Sequence, residues 1–253
     1  MNTLRVRNME LGTGIPKICV PIVGVSKEDI LSQAKALLST PVDMVEWRAD
    51  WFDGVADPAQ VTDVLAQLRI VLGNLPLLFT FRSNKEGGQR AMEPQAYAQL
   101  NIQAAQSGYV DLVDVEAFSG EEIVRSIIQS AHAAGVKVIV SNHDFCQTPS
   151  KDEIVSRLRR MQDFGADIPK IAVMPQSKED VLTLLSATQE MVRLYAHGPI
   201  ITMSMGGTGV ISRLCGEVFG SAVTFGAAQK ASAPGQMGVE QLHTVLTLLH
   251  NAQ

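Results

Sequence analysis

Eight short apolar runs, spread along almost the whole chain, leave this sequence few folds to choose from. They are KICVPIVGV, VDMVEWRAD, PLLFTFRS, YVDLVDVEAF, VKVIVSNHD, IPKIAVM, PIITMSM and SAVTFG, beginning at Lys17, Val42, Pro76, Tyr109, Val136, Ile168, Pro199 and Ser221. Each has the length and β-branched content of a buried strand, and their starts lie about 20 to 35 residues apart. That spacing leaves room for a helical crossover between parallel strands. Helix-period stretches fill the gaps: DILSQAKALL, AQVTDVLAQLRIVL, EIVRSIIQSAHAAG and KEDVLTLLSATQEMVRLY, with VEQLHTVLTLLHN as the last.

The junctions agree with this alternation. Ser26 to Asp29, Ser119 to Glu122, Ser150 to Glu153 and Ser177 to Asp180 each set a serine three residues before an acid. This is the capping-box signature of a helix start. Eight strands alternating with about eight helices predict an α/β protein of the closed (β/α)8 TIM barrel type, with residues 1–253 as one domain. Residues 1–15 precede the first run and are expected to form a β-hairpin that closes the barrel bottom. An open doubly wound sheet is the alternative, but it would carry a glycine fingerprint after its first strand, and VGVSKED has none.

Charge and cysteine content narrow the function. A net charge of −5 disfavours a nucleic-acid surface, which requires clustered cations. The one basic cluster, RLRR at 157–160, reads as a solvated helix face. Cys19, Cys146 and Cys215 are odd in number and form no CxxC pair, as expected in a reducing compartment. No export signal and no membrane-length apolar stretch is visible, so a cytoplasmic enzyme or binder is expected, with no membrane partner.

Strand residues alternate between the barrel interior and the helix layer. On that parity Glu46 pairs with Arg48, Thr80 with Arg82, Asp114 with Glu116, Ser141 with His143, and Lys170 with Ala172. Five consecutive runs thus send polar side chains to one face, mostly at their C-terminal ends, where barrel enzymes keep their active sites. A single such residue would be an ordinary loop-facing solubiliser; separate solubilisers have no need of a shared parity.

Lys170 is the most informative of them. It sits among Ile168, Ile171, Ala172, Val173 and Met174, and a buried ammonium is costly without a partner. Desolvation and nearby cations, with Arg48, Arg82 and Arg213 as candidates, would favour its neutral, nucleophilic form. A neutral amine adds to a ketone to give an iminium, which acidifies the adjacent C–H. His143 is the histidine at a strand tip suited to act as the base, since the other four fall in predicted helices or helix ends. One histidine at a strand tip makes a metal centre unexpected. SMGGTG at 204–209 could cradle a phosphate or serve as a lid. A Schiff-base aldolase acting on a sugar phosphate and a non-catalytic binder therefore stay open beside a Schiff-base dehydratase.

EWRAD, FTFRSNKEGG, DVE followed by VIVSNHDF, then ADIPKIAVMPQ, GVISRLCGEVFGSAVTFG and KASAPGQ together resemble the type I 3-dehydroquinate dehydratases, from about Lys17 onward. The resemblance implies a TIM barrel of the shikimate pathway that converts 3-dehydroquinate to 3-dehydroshikimate. Lys170 matches the Schiff-base lysine, His143 the general acid and base, and Glu86 the carboxylate that orients this histidine. Arg213 matches the arginine that grips the substrate carboxylate. Glu46, Arg48, Arg82, Ser232 and Gln236 match polar substrate contacts, and Met205 an apolar wall. It also implies a homodimer with no metal or organic cofactor. Pro21, Gly207 and Cys146 depart from the serine, lysine and histidine of close enteric relatives, which bears on affinity and lid behaviour.

Overall fold

The computed structural model of the chain describes residues 2–228 and 234–253. Each of the eight apolar runs contains a strand. In chain order they are β3 (Lys17–Ile22), β4 (Met44–Arg48), β5 (Leu77–Thr80), β6 (Leu112–Glu116), β7 (Lys137–Asp144), β8 (Ile168–Val173), β9 (Ile201–Ser204) and β10 (Val223–Phe225). They form one parallel sheet in the order β10-β3-β4-β5-β6-β7-β8-β9. A parallel bridge between Ile200 and Ser221, with Ala222 N–H donating to the Ile200 carbonyl at 2.8 Å, joins β9 to β10 and completes the barrel.

Helices α1 (Lys27–Leu37), α2 (Pro58–Leu72), α3 (Pro94–Gln106), α4 (Glu121–Ala133), α5 (Lys151–Phe164), α6 (Lys178–Leu194), α7 (Ile211–Leu214), α8 (Gly216–Phe219) and α9 (Val239–Asn251) follow the strands. Proline opens α2 and α3, where its missing N–H has no helical partner to lose. Ser26, Ser150 and Ser177 cap α1, α5 and α6 through their side chains, and Ser177 with Asp180 makes the full reciprocal box. The fourth expected cap is not formed. Gly120, at φ 105°, occupies the cap of α4 in its place, and Ser119 lies one residue outside the helix. A left-handed turn that favours glycine moves the helix start along by one.

The predicted parity separates two cores. Outward residues such as Val45, Trp47, Phe79, Val113, Val115 and Val140 pack beneath the helices. Inward, the lower barrel is apolar: Cys19, Met44, Leu78, Leu112, Ile139, Ile168, Ile201 and Val223. The N-terminal hairpin, β1 (Leu4–Val6) against β2 (Met9–Leu11), adds Val6, Met9 and Leu11 to that cluster. The barrel bottom is therefore a dry plug, and burying a side chain of Leu11's type contributes roughly 1.5–3 kcal/mol. Polar groups higher in the interior are consequently shielded from solvent on that side.

RLRR is less detached than its sequence suggests. Arg157 donates to the Asn142 side chain at 3.0 Å and lies over the Phe118 ring, bracing the tip of β7. Among the described residues no helix is long and apolar enough to cross a membrane.

Candidate active site

One pocket at the C-terminal end of the barrel is lined by Glu46, Arg48, Arg82, Glu86, His143, Lys170, Met205, Arg213 and Gln236. Nine of the ten residues singled out by motif therefore converge there; Ser232 lies outside the described residues. Phe145, Ala172, Met203, Phe225 and Gly87 complete the walls.

Lys170 sits low in this pocket, 3% exposed. Its Nζ donates to Asp114 Oδ2 at 3.1 Å and stands 4.6 Å from the centroid of the Phe225 ring. Asp114, wholly buried, also accepts from Arg82 Nη2 at 2.7 Å and from Ser141 Oγ at 2.6 Å. Burial works against a charged Asp114, but Arg82 and Lys170 outweigh it and hold the carboxyl well below the usual range. The lysine's closest charged neighbour is thus a carboxylate. The arginines expected to crowd it are already engaged: Arg82 by Asp114, Glu116 and Glu86, and Arg48 by Asp50.

His143 is next to Lys170 across the β7–β8 pairing, where Ser141 faces Lys170 and His143 faces Ala172. Its Nδ1 is 2.9 Å from Glu86 Oε2, an oxygen that also accepts the His143 backbone N–H at 3.0 Å. A proton on Nδ1 makes this hydrogen bond and leaves the Nε2 lone pair available. Burial first, then the cations Arg82 and Lys170, hold the imidazole well below 6.5, so it is neutral at physiological pH. Burial raises Glu86 from 4.5 to about 7, with Arg82 pulling the other way. A neutral imidazole oriented by a buried carboxyl group is a general base in waiting.

Backbone geometry sets Glu86 in place. It ends a short 3-10 turn, Asn84–Glu86, followed by Gly87 at φ 84°. A Cβ on Gly88 would lie 1.8 Å from the Arg82 carbonyl oxygen. The GG of SNKEGG is thus needed for a left-handed turn and then for a close backbone approach.

Arg213 approaches from α7. Its Nη2 donates to the Pro234 carbonyl at 3.0 Å, its Nη1 reaches Met203 sulfur at 3.6 Å, and its Nε is buried with no acceptor among the described residues. Burial lowers it to about 10, leaving it a cation. An under-partnered buried guanidinium in a pocket suits an incoming carboxylate. Glu46 accepts from Thr80 Oγ1 at 2.8 Å and keeps further lone pairs for a ligand hydroxyl.

Asp50, Asp114 and Phe225 belong to this machinery, although motif reading did not select them. Asp114 shared the inward parity, which could have drawn attention to it. Pro21 lies buried on β3 beside Glu46 in the pairing, while Gly207 and Cys146 are exposed. Among the described residues no group of three or more His, Cys, Asp or Glu is placed to hold a metal.

Comparison with known proteins gives the family of the chain. The family model for type I 3-dehydroquinase matches residues 18–253. The 3-dehydroquinate dehydratase of Clostridioides difficile (strain 630) is 55% identical over 249 residues, covering 98% of each chain. That of Listeria welshimeri is 56% identical over 250 residues, covering 99% of each. Among solved structures, a type I 3-dehydroquinate dehydratase from Clostridium difficile with covalently modified comenic acid superposes with a TM-score of 0.97 at 54% identity, over 100% of this chain and 99% of that one. In sequence from residue 18 onward and in the whole of its barrel, the chain belongs to the type I 3-dehydroquinase family.

Proposed function

We propose that this chain dehydrates 3-dehydroquinate to 3-dehydroshikimate through an imine on Lys170. The observation that carries the reading is the buried Lys170 beside the His143–Glu86 pair in one pocket. The Lys170 amine adds to the substrate ketone, and water leaves to give an iminium whose charge Asp114 offsets. His143 Nε2 takes the proton from the adjacent carbon, and the C–H electrons form an enamine. The enamine expels the hydroxyl group, which leaves as water with the proton His143 carried. Hydrolysis of the product imine restores the amine, so the net change is substrate to product plus one water.

The remaining residues bind and orient. Arg213 grips the carboxylate, while Glu46, Arg48, Arg82, Gln236 and Ser232 read the ring hydroxyls. Met205 forms an apolar wall. The covalently modified comenic acid on the Clostridium difficile relative supports a covalent step. The same reading takes residues 1–253 as one domain working in the cytoplasm as a homodimer, without metal or organic cofactor.

Borohydride reduction in the presence of 3-dehydroquinate tests it. A stable adduct is expected, mapped by peptide mass to Lys170, absent in Lys170→Ala and still formed in His143→Ala. No adduct, or one at another residue, overturns the mechanism. Sizing by light scattering tests the dimer.

A further inference from the structure

Asp50 is fully buried just past the end of β4, and its carboxylate meets the pocket through Arg48 and the Arg82 backbone. Its carboxylate accepts four hydrogen bonds in two matched pairs. Oδ1 takes Arg48 Nε at 2.8 Å and the Arg82 backbone N–H at 3.3 Å. Oδ2 takes Arg48 Nη2 at 2.9 Å and the Gln89 backbone N–H at 3.1 Å. Each oxygen thus holds one arm of a guanidinium fork and one end of the segment that carries Glu86. Arg90 adds a further tie, its Nε donating to the Asp50 carbonyl at 3.1 Å.

Between those two anchored ends the chain folds tightly back on itself. Ser83 bridges Arg90, Asn84 N–H donates to the Arg90 carbonyl at 2.9 Å, and Gly88 N–H donates to the Ser83 carbonyl at 2.8 Å. Glu86 sits at the crest of this loop and reaches His143 from it. The Phe145 ring lies where a Cβ on Gly87 would point. Asp50 ties both ends of the loop's neck to Arg48, while Glu116 Oε1, which accepts the Ser83 N–H at 2.7 Å, holds the first end only.

We infer that Asp50 is a positioning residue that couples Arg48, on the substrate side, to the Glu86 loop, on the base side. The inference rests on the imine reading, because it assigns consequences to Arg48 and Glu86 within that reaction. A fork held by both guanidinium arms fixes the plane in which Arg48 presents its remaining N–H group to a ligand. When a ligand pulls on Arg48, the pull passes through Asp50 to the loop neck, and thereby to the Glu86–His143 hydrogen bond.

His143 is faced by Glu86, Arg82, Lys170, Asp114 and Arg48. Asp50 therefore acts on the imidazole by holding Glu86 in place. A loosened Glu86 gives up its hydrogen bond to Nδ1 and leaves His143 facing the same cations, which moves its titration to lower pH.

The test compares wild type, Asp50→Asn, Glu86→Gln and the double variant. Asp50→Asn keeps volume but cannot satisfy both N–H pairs. KM for 3-dehydroquinate is expected to rise about tenfold, as for loss of one charge-assisted hydrogen bond. The acid limb of kcat/KM should move to lower pH, and Asp50→Asn should add no further movement in the Glu86→Gln background. A limb that moves equally in both backgrounds would mean that Asp50 acts through its charge alone, and the clasp is wrong. An unchanged KM and limb overturns it as well. If Asp50→Asn does not fold, Arg48→Lys takes its place: it keeps the charge and removes the fork, and a limb that stays at its wild-type position refutes the coupling. Borohydride adducts at Lys170 in the same samples separate the outcomes. Without one in wild type the imine reading fails, whereas an adduct with unmoved kinetics sinks only the clasp.

Discussion

Glu86 Oε2 accepts two hydrogen bonds from the same residue, the His143 ring Nδ1 at 2.9 Å and the His143 backbone N–H at 3.0 Å. This double attachment fixes both the tautomer and the ring plane of the base. It leads to a kinetic expectation. The acid limb of kcat/KM belongs to the pair as a unit. In Glu86→Gln the limb should move to lower pH, because the pair's upper protonation, near 7, is lost with Glu86 while burial, Arg82 and Lys170 still hold His143 low. A pH–rate profile from pH 5 to 9 measures this, and a limb displaced upward would contradict the arrangement.

The same carboxyl group sets a pH dependence of stability. Its folded value, about 7, lies above its ordinary 4.5, so the native state binds a proton that the unfolded chain has already released. Taken alone, Glu86 makes stability fall as pH rises through that window, by at most roughly 1.4 kcal/mol per pH unit; His143, which the unfolded chain protonates below 6.5 and the native state does not, opposes it with a slope of the other sign. Asp114 also has the sign opposite to Glu86: held below 3.8, it contributes stability that is complete above that pH and drains away as pH falls further. Urea unfolding between pH 3 and 8 measures the balance, and Glu86→Gln, which leaves the His143 slope unopposed, should make stability rise more steeply with pH between 4.5 and 6.5.

Asp114→Asn removes the charge that Lys170 and Arg82 share. Two buried cations then face each other with less compensation, a change that costs about 3–5 kcal/mol when one partner of a buried pair is lost. A melting temperature lower by roughly 10 °C is expected for a chain of this size. Calorimetry decides it; an unchanged melting temperature would show that the cations have another counter-charge.

Two glycines should behave oppositely. Gly88→Ala forces a methyl group to within 1.8 Å of the Arg82 carbonyl oxygen and displaces the Glu86 loop. A shift of about 1 Å in a catalytic group costs on the order of 10²-fold in rate, and kcat should fall to that extent. At Gly207 a Cβ meets nothing within 4 Å, so Gly207→Lys should alter stability by less than about 0.5 kcal/mol. Steady-state assays and melts of the two variants side by side test the contrast.

Much of the site was legible before any coordinates, because strand alternation is a local rule. Glu46, Arg48, Arg82, His143 and Lys170 could be placed on one interior face by counting alone, and the structure brings them to one pocket. Asp50 continues the spacing of Glu46 and Arg48, but it lies in the Ala49–Trp51 turn, where alternation no longer specifies direction. Ser119 failed as a cap because a positive φ at Gly120 cannot be seen in a serine–acid spacing.

The sequence by itself determined the repeating strand and helix order, the inward parity and the presence of an amine in an apolar strand, since all three depend on neighbours a few residues apart. Only the tertiary structure decided which charges meet. Lys170 finds Asp114 across 56 positions of sequence, and Asp50 joins Arg48 to a loop end 39 positions away. Such pairings are set by barrel closure and burial. In a low-dielectric interior, where an unpaired charge is costly, the folded geometry selects each partner.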